Sequence, residues 1–208
     1  MSIDALIDGY RRFRANRFEQ ARALYERLAS AQRPRALMVG CCDSRVDPAT
    51  ITDTGPGELF VVRNVANLIP PYTPDGRHHG TSAALEFGVL VLGIPDIVVL
   101  GHARCGGAQA LLAGAHDSAP MVDFVGAWMG LAADARERVL SRATPGADLQ
   151  RELELEIVRL SIDNLHSFPW IAERVADGRL RIHGWHFGIA NGELAVLDRA
   201  SDEFSVLA

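Results

Sequence analysis

The stretches ALMVGCCDSR at residues 36–45 and IVVLGHARCGG at residues 97–107 decide the fold, because each joins a short apolar run to cysteine, histidine and charged residues. The apolar runs, 36–39 and 97–100, both end at glycine, and such runs are typical of buried strands in a parallel sheet. Open α/β sheets bind ligands outside the carboxyl ends of their strands. The two segments can therefore meet there, although about sixty residues separate them.

The rest of the chain supports a sheet covered by helices. Further apolar runs predict strands at residues 59–62, 180–182 and 194–197, and Asn191-Gly192 predicts a hairpin turn between the last two. Helical spacing predicts one or two helices within residues 3–31 and others at residues 81–92, 108–113, 122–140 and 149–165. This alternation indicates an α/β fold with a mostly parallel central sheet flanked by helices and an antiparallel edge strand.

Composition excludes several classes of protein. The net charge of −5, with arginine as the only strongly basic residue type, gives no reason to expect a nucleic-acid partner. No signal-peptide pattern opens the chain and no apolar run is long enough to cross a bilayer, so we expect no membrane partner and a cytoplasmic location. Three cysteines in such a chain favour metal-binding or catalytic thiols over disulfides, although a free cysteine is often only a small buried hydrophobe.

The second segment supplies His102 and Cys105, which are three residues apart and can chelate one ion from a single turn. The first segment supplies a second thiolate. One histidine and two cysteines suit tetrahedral zinc, and three protein ligands leave a position open for water, as in catalytic zinc sites.

These motifs resemble those of the β-class carbonic anhydrases. The resemblance covers residues from about 20 to 200 and rests on four motifs: CCDSRV at 41–46, PGE at 56–58, FVVRNVAN at 60–67 and HARCGG at 102–107. It implies one domain over residues 1–208, with an N-terminal helical arm at 1–33 and a zinc-binding α/β core at 34–208. It also implies a homodimer, which can assemble into a tetramer or larger form.

The resemblance assigns roles at the metal. It makes Cys41, His102 and Cys105 the zinc ligands, with Cys42 a bystander. Reversible hydration of CO2 to bicarbonate and a proton then follows attack of zinc-bound hydroxide on CO2. Asp43 accepts the hydroxide's hydrogen bond and Arg45 holds Asp43 in place; in a closed state of the family, the same aspartate becomes the fourth zinc ligand.

The resemblance also assigns the substrate pocket. Gln32 matches a glutamine that donates to substrate from the neighbouring subunit. The narrow apolar pocket corresponds to Phe60, Val65, Phe87 and Gly106, with Phe87 in place of a tyrosine common in plant-type enzymes. A regulatory bicarbonate site of some bacterial members, formed by tryptophan, arginine and tyrosine, corresponds here to residues 38, 63 and 187, which are Met, Arg and Phe. We therefore expect the plant-type, open subtype, with water on zinc at neutral or alkaline pH.

Two other functions fit the same residues. Related proteins hydrolyse CS2 or COS at such a zinc site by narrowing its entrance, and an entrance cannot be judged from sequence. A non-catalytic, zinc-stabilised scaffold would need a closed metal site and would have no use for Asp43 and Arg45.

Overall fold

The computed structural model describes residues 2–114 and 123–207. The described α-helices are α1 (Ile3–Phe13), α2 (Arg22–Leu28), α3 (Pro48–Ile51), α4 (Gly80–Glu86), α5 (Gly106–Leu112), α6 (Val125–Gly130), α7 (Ala133–Arg142), α8 (Leu149–His166) and α9 (Pro169–Ala176). π-Helical turns continue α1 over Arg14–Phe18 and α4 over Phe87–Val91, and a 3₁₀ turn spans Val65–Asn67. The strands are β1 (Ala36–Cys41), β2 (Leu59–Asn64), β3 (Asp96–His102), β4 (Arg181–Phe187), β5 (Leu194–Asp198) and β6 (Glu203–Val206).

The six strands form one sheet in the order β2-β1-β3-β4-β5-β6. Strands β1 to β4 run parallel to one another, and β5 and β6 at one edge are antiparallel to the strands they pair with. This confirms the mostly parallel sheet with an antiparallel edge. The hairpin predicted around residues 191–192 joins β4 to β5, and β4 completes the parallel part of the sheet. The edge strand β6 was not predicted.

Several predicted helices differ in detail. The helix predicted over residues 122–140 begins outside the described residues, and its described part is divided into α6 and α7 around Leu131 and Ala132. Ala132 has a φ of −109° and a ψ of 16°, so the helical backbone is interrupted there. Helices α3 and α9 were not predicted; each begins with a proline, which suits the first helical turn because it lacks the N–H that would be left unpaired. No helix of the described ranges is long and apolar enough to cross a membrane.

Helix α8 lies very close to the centre of the sheet. A side chain at Gly101 in β3 would approach Val158 of α8 to 2.6 Å, and one at Gly184 in β4 would approach Ile162 to 2.8 Å. Glycine at these two positions therefore allows the close contact, which a Cβ atom would prevent. Most of the side chains that α8 buries are apolar, but Glu154 and Glu156 are buried with them.

The N-terminal helices make few contacts with the rest of the chain. Neither α1 nor α2 contains a buried residue. The end of α2 meets the core where Leu28 packs over Gly57, which has a φ of +85° and no room for a side chain, since a Cβ atom there would lie 2.5 Å from Leu28. The arm is thus held to the core at its last turn, and α1 extends from it.

Candidate metal centre

The sheet brings the two predicted ligand segments together. Cys41 is the last residue of β1 and His102 the last residue of β3, and these strands are parallel neighbours. Cys105 follows in the short loop that leads into α5. All three side chains are buried, and their ligand atoms lie within 4.8 Å of one another. The strands run two residues further than the sequence predicts, so the first two ligands belong to the strands rather than to the loops after them.

The donor atoms fit a tetrahedral ion. The Nδ1 atom of His102 lies 2.9 Å from the carbonyl oxygen of Ala103 and donates to it, which leaves the lone pair on Nε2. That Nε2 atom is buried and has no hydrogen-bond partner among the described residues. An unpaired buried nitrogen is costly unless something binds it, and a metal ion would. Zinc with sulfur and nitrogen ligands holds them roughly 3.3 to 3.8 Å apart, which is compatible with this cluster.

The sulfurs of Cys41 and Cys105 are hydrogen-bonded to each other. A hydrogen bond from Cys105 lowers the pKa of Cys41, and the same contact raises the pKa of the Cys105 thiol. A metal ion binds thiolates and displaces their protons, so the lowered pKa of Cys41 favours binding of a cation here. Cys42 is exposed and lies outside this cluster.

Asp43 and Arg45 form a bidentate pair beside the cluster. Nε of Arg45 donates to Oδ1 of Asp43 at 2.9 Å and Nη2 donates to Oδ2 at 2.7 Å. The backbone N–H of Arg45 also donates to Oδ1, at 2.9 Å. The Arg45 side chain holds the pKa of the Asp43 carboxyl well below its usual range. Asp43 is thus an ionised, oriented acceptor, and it is not one of the three clustered ligand residues.

Arg63 supports the loop that carries this pair. Its guanidinium donates to the backbone carbonyls of Cys41 at 3.0 Å, Asp43 at 2.6 Å and Val46 at 3.1 Å. Sequence comparison with the regulatory bicarbonate site gave no hint of this role. The other two positions of that site, Met38 and Phe187, pack together in an apolar cluster.

The structure places the predicted substrate-binding residues in different surroundings. Phe60 and Phe87 stack with ring centroids 6.1 Å apart. Val65 packs instead against the apolar cluster that contains Cys41 and Cys105. Gly106 is exposed, and a Cβ atom there would meet nothing within 4 Å. Gln32 is exposed in the segment between the arm and β1, and no hydrogen bond of its side chain occurs within residues 2–114 and 123–207.

Sequence reasoning missed three features near the cluster of Cys41, His102 and Cys105. Ala66 and Asn67 adopt left-handed backbone conformations, with φ of 61° and 47°, and the indole N–H of Trp128 donates to the carbonyl of Val65 at 2.8 Å. Glu154 of α8 accepts a hydrogen bond from the backbone N–H of Cys105 at 3.0 Å. The only sequence signal for Glu154 is a carboxylate at the margin of the apolar face of a helix.

Comparisons with known proteins agree with this geometry. A family model described as carbonic anhydrase matches residues 36–194. A carbonic anhydrase of Pseudomonas aeruginosa is 38% identical over 205 residues, covering 98% of this chain and 91% of that protein. Beta carbonic anhydrase 3 of Arabidopsis thaliana is 36% identical over 194 residues, covering 92% of this chain and 75% of that protein.

Two solved structures show the same similarity. The β-carbonic anhydrase CcaA matches with a TM-score of 0.90 and 35% identity, covering 99% of this chain and 92% of that one. A tetrameric β-carbonic anhydrase of Sordaria macrospora matches with a TM-score of 0.80 and 27% identity, covering 99% of this chain and 98% of that one.

Proposed function

The chain belongs to the β-carbonic anhydrase family, and from that premise we propose how its own residues carry out the reaction. The enzyme uses zinc to interconvert carbon dioxide with bicarbonate and a proton. The observation that carries the proposal is the convergence of Cys41, His102 and Cys105, in which Nε2 of the histidine is buried without a partner among the described residues.

These three residues would hold the ion. When bound, zinc would lower the pKa of water and so supply the nucleophile at near-neutral pH. Two thiolates neutralise much of the charge of a zinc ion, so we expect that pKa to lie near or somewhat above neutral. The hydrogen bond from Nδ1 of His102 to Ala103 fixes the ring and its tautomer. Cys42 takes no part in this ligand set.

Asp43 would orient the nucleophile. Because Arg45 keeps the carboxyl of Asp43 ionised, Asp43 can accept a hydrogen bond from the nucleophile but cannot donate one. A bidentate partner fixes the plane of the carboxylate, so one of its remaining lone pairs is available at a defined angle. Engagement of both oxygens by Arg45 favours the open, plant-type arrangement over the state in which Asp43 binds zinc.

An apolar pocket suits CO2, which is small and has no net dipole. We assign Phe60, Val65, Phe87 and Gly106 to that pocket, with Gly106 keeping space free beside Cys105. Gln32 would reach the substrate in the neighbouring protomer of a dimer, since its side chain is exposed and makes no hydrogen bond within residues 2–114 and 123–207.

A homodimer, alone or within a tetramer, is supported by the arm. Four apolar residues on one face of α1 are exposed, with exposed fractions of 44% to 70%: Ile3, Leu6, Ile7 and Tyr10. An unpartnered stripe of this kind is typical of a face that another chain covers. Leu6→Ser with Ile7→Ser should lower the mass measured by sedimentation, whereas the control Arg17→Ser in the same arm should not. An unchanged mass would contradict this role of α1. The cytoplasmic location expected from the sequence stays a prediction.

Stopped-flow CO2 hydration between pH 7 and 9, with zinc measured on the same sample, tests the function. The wild type should carry about one zinc per chain and accelerate as pH rises. Cys41→Ser should lose metal and activity, whereas its neighbour Cys42→Ser should keep both. Loss of zinc in the Cys42 variant would overturn the ligand assignment. Turnover of CS2 or COS in place of CO2 would establish the alternative hydrolase, and a metal-loaded but inactive protein would establish the scaffold.

A further inference from the structure

Glu154 is a buried carboxylate that the proposed reaction does not use. It lies on α8 and is 4% exposed. Its Oε1 atom accepts from the backbone N–H of Cys105 and from Nε2 of Gln150, both at 3.0 Å. Its Oε2 atom lies 3.2 Å from Nε2 of His186, which is 2% exposed. A carboxylate in an apolar layer is costly unless it is fully hydrogen-bonded, and here both oxygens are engaged.

The Cys105 contact belongs to a peptide group that is held at both ends. The N–H of Cys105 donates to Glu154, and the carbonyl of the same peptide, from Arg104, accepts from Nη2 of Arg45 at 3.0 Å. Arg45 in turn holds Asp43. The Arg104–Cys105 peptide, in the ligand loop of residues 103–105, therefore connects the Glu154 carboxylate to the Asp43–Arg45 ion pair.

That peptide follows a strained residue. Arg104 has a φ of +59°, a conformation that costs a non-glycine residue about 1 kcal/mol or more and persists only where surrounding contacts enforce it. Glu154 is able to supply such a contact because Gly101 and Gly184 let α8 lie close against the sheet. Nε2 of Gln150 also lies 3.4 Å from the carbonyl oxygen of Cys105, a weaker contact on the next peptide.

We propose that Glu154 is a positioning residue: by accepting the N–H of Cys105 it fixes the Arg104–Cys105 peptide, and so sets both the Cys105 ligand and the anchor of Arg45. This inference rests on the ligand role of Cys105 and the orienting role of Asp43 proposed above. The proposal requires a hydrogen-bond acceptor at residue 154, because one oxygen makes the contact with Cys105. It does not require a negative charge there.

Glu156 provides a matched control two residues further along the same helix. It is 6% exposed, close to the value for Glu154, but its carboxylate pairs with Arg138 at 2.7 Å and Arg142 at 3.1 Å. It makes no hydrogen bond to the ligand loop in the part of the chain that the structure describes. Substitutions there should affect folding stability and leave the metal centre unchanged.

The test compares Glu154→Gln, Glu154→Asp, Glu154→Leu and Glu156→Gln in the metal-loaded protein. Readouts are the rate of zinc release to a chelator, the visible spectrum of the cobalt-substituted protein, kcat and KM for CO2 hydration, and the thermal midpoint. Glutamine keeps an acceptor oxygen at the same reach, so zinc release and kcat should stay within about threefold of wild type. Aspartate keeps the charge but withdraws the oxygen, so zinc release should be about 10- to 100-fold faster, kcat lower and the cobalt spectrum altered.

The leucine variant should release zinc at least as fast as the aspartate variant. If the leucine variant does not fold, the comparison of the glutamine and aspartate variants still tests the proposal. Glu156→Gln should lower the thermal midpoint without changing zinc release or the cobalt spectrum. The proposal is overturned if aspartate matches wild type while glutamine does not, which would make charge the requirement. It is also overturned if all Glu154 variants lose stability only, as the control does. Failure of the wild type to bind metal would instead contradict the proposed function.

Discussion

Replacing Arg45 by lysine changes the shape of a cation without removing its charge. The guanidinium makes three side-chain contacts: two to the carboxylate of Asp43 and one, at 3.0 Å, to the carbonyl of Arg104. A lysine ammonium is a point donor and can retain one of the two contacts with Asp43, so the fork and the loop anchor are lost.

The size of the expected loss in kcat depends on how exposed the Arg45 side chain is. Hydrogen bonds to charged groups contribute about 1.5 to 3 kcal/mol when buried and less than about 1 kcal/mol in solvent-exposed pairs. The Arg45 side chain is 49% exposed, so the lower range applies. Two lost contacts at about 0.5 to 1 kcal/mol each give about 1 to 2 kcal/mol. If Asp43 must be oriented in the transition state, that free energy lowers kcat about 5- to 30-fold.

The assay is stopped-flow CO2 hydration at pH 8.5, with zinc content measured on each sample. Arg104→Lys is the control, because Arg104 meets Arg45 through its backbone carbonyl, and it should remain within about twofold of wild type. An Arg45→Lys protein with full zinc and wild-type kcat would refute the reasoning, since Asp43 would then act without being held. Equal losses in both variants would also refute it, because loss of any nearby guanidinium, rather than of the contacts that Arg45 makes, would then be the cause.

Two further outcomes test the fold around the site. Gly184→Ala should lower the free energy of unfolding by about 1 to 3 kcal/mol in urea, because its Cβ atom would lie 3.0 Å from Val158, whereas Gly130→Ala, which meets nothing within 4 Å, should not be destabilising. Equal stability of the two would contradict the close packing of α8. The Arg181 side chain lowers the pKa of Asp96, so the pair stabilises the fold above about pH 4 and that stabilisation is lost as pH falls. Asp96→Asn should therefore lower unfolding free energy by about 1 kcal/mol at pH 7 and by less at pH 3.5 to 4; a constant difference would argue against the pair.

The parallel core and the metal ligands were accessible from sequence because both depend on local patterns. A short apolar run that ends at glycine identifies a buried strand, and Cys41 and His102 end two such strands, with Cys105 three residues after His102. Strand β6 escaped prediction because it is only four residues long and mostly exposed, so that its alternation rests on just two apolar residues, Phe204 and Val206. The break at Ala132 escaped for a different reason: it interrupts the backbone and leaves the apolar spacing intact.

The surroundings of the ligands depend on contacts that sequence does not encode locally. Arg63 is 22 residues from Cys41 along the chain, and Glu154 is 49 residues from Cys105. Both bind backbone groups, whose positions follow from the completed sheet rather than from any residue type. Family resemblance assigned Arg63 to a different role and gave none to Glu154. Residues that act on side chains of a motif are thus easier to predict than residues that act on its backbone.

Two of the proposed ligands, Cys41 and His102, end strands that are neighbours in space but distant along the chain, and this orders events during synthesis. Cys41 leaves the ribosome about sixty residues before His102 and Cys105, and in between α3, β2 and α4 emerge. Until β3 has been made and has paired with β1, a nascent chain therefore holds Cys41 and its neighbour Cys42 but neither His102 nor Cys105. If these three residues hold the ion, its capture is a late step in maturation, and a truncated chain that stops before β3 should not retain it.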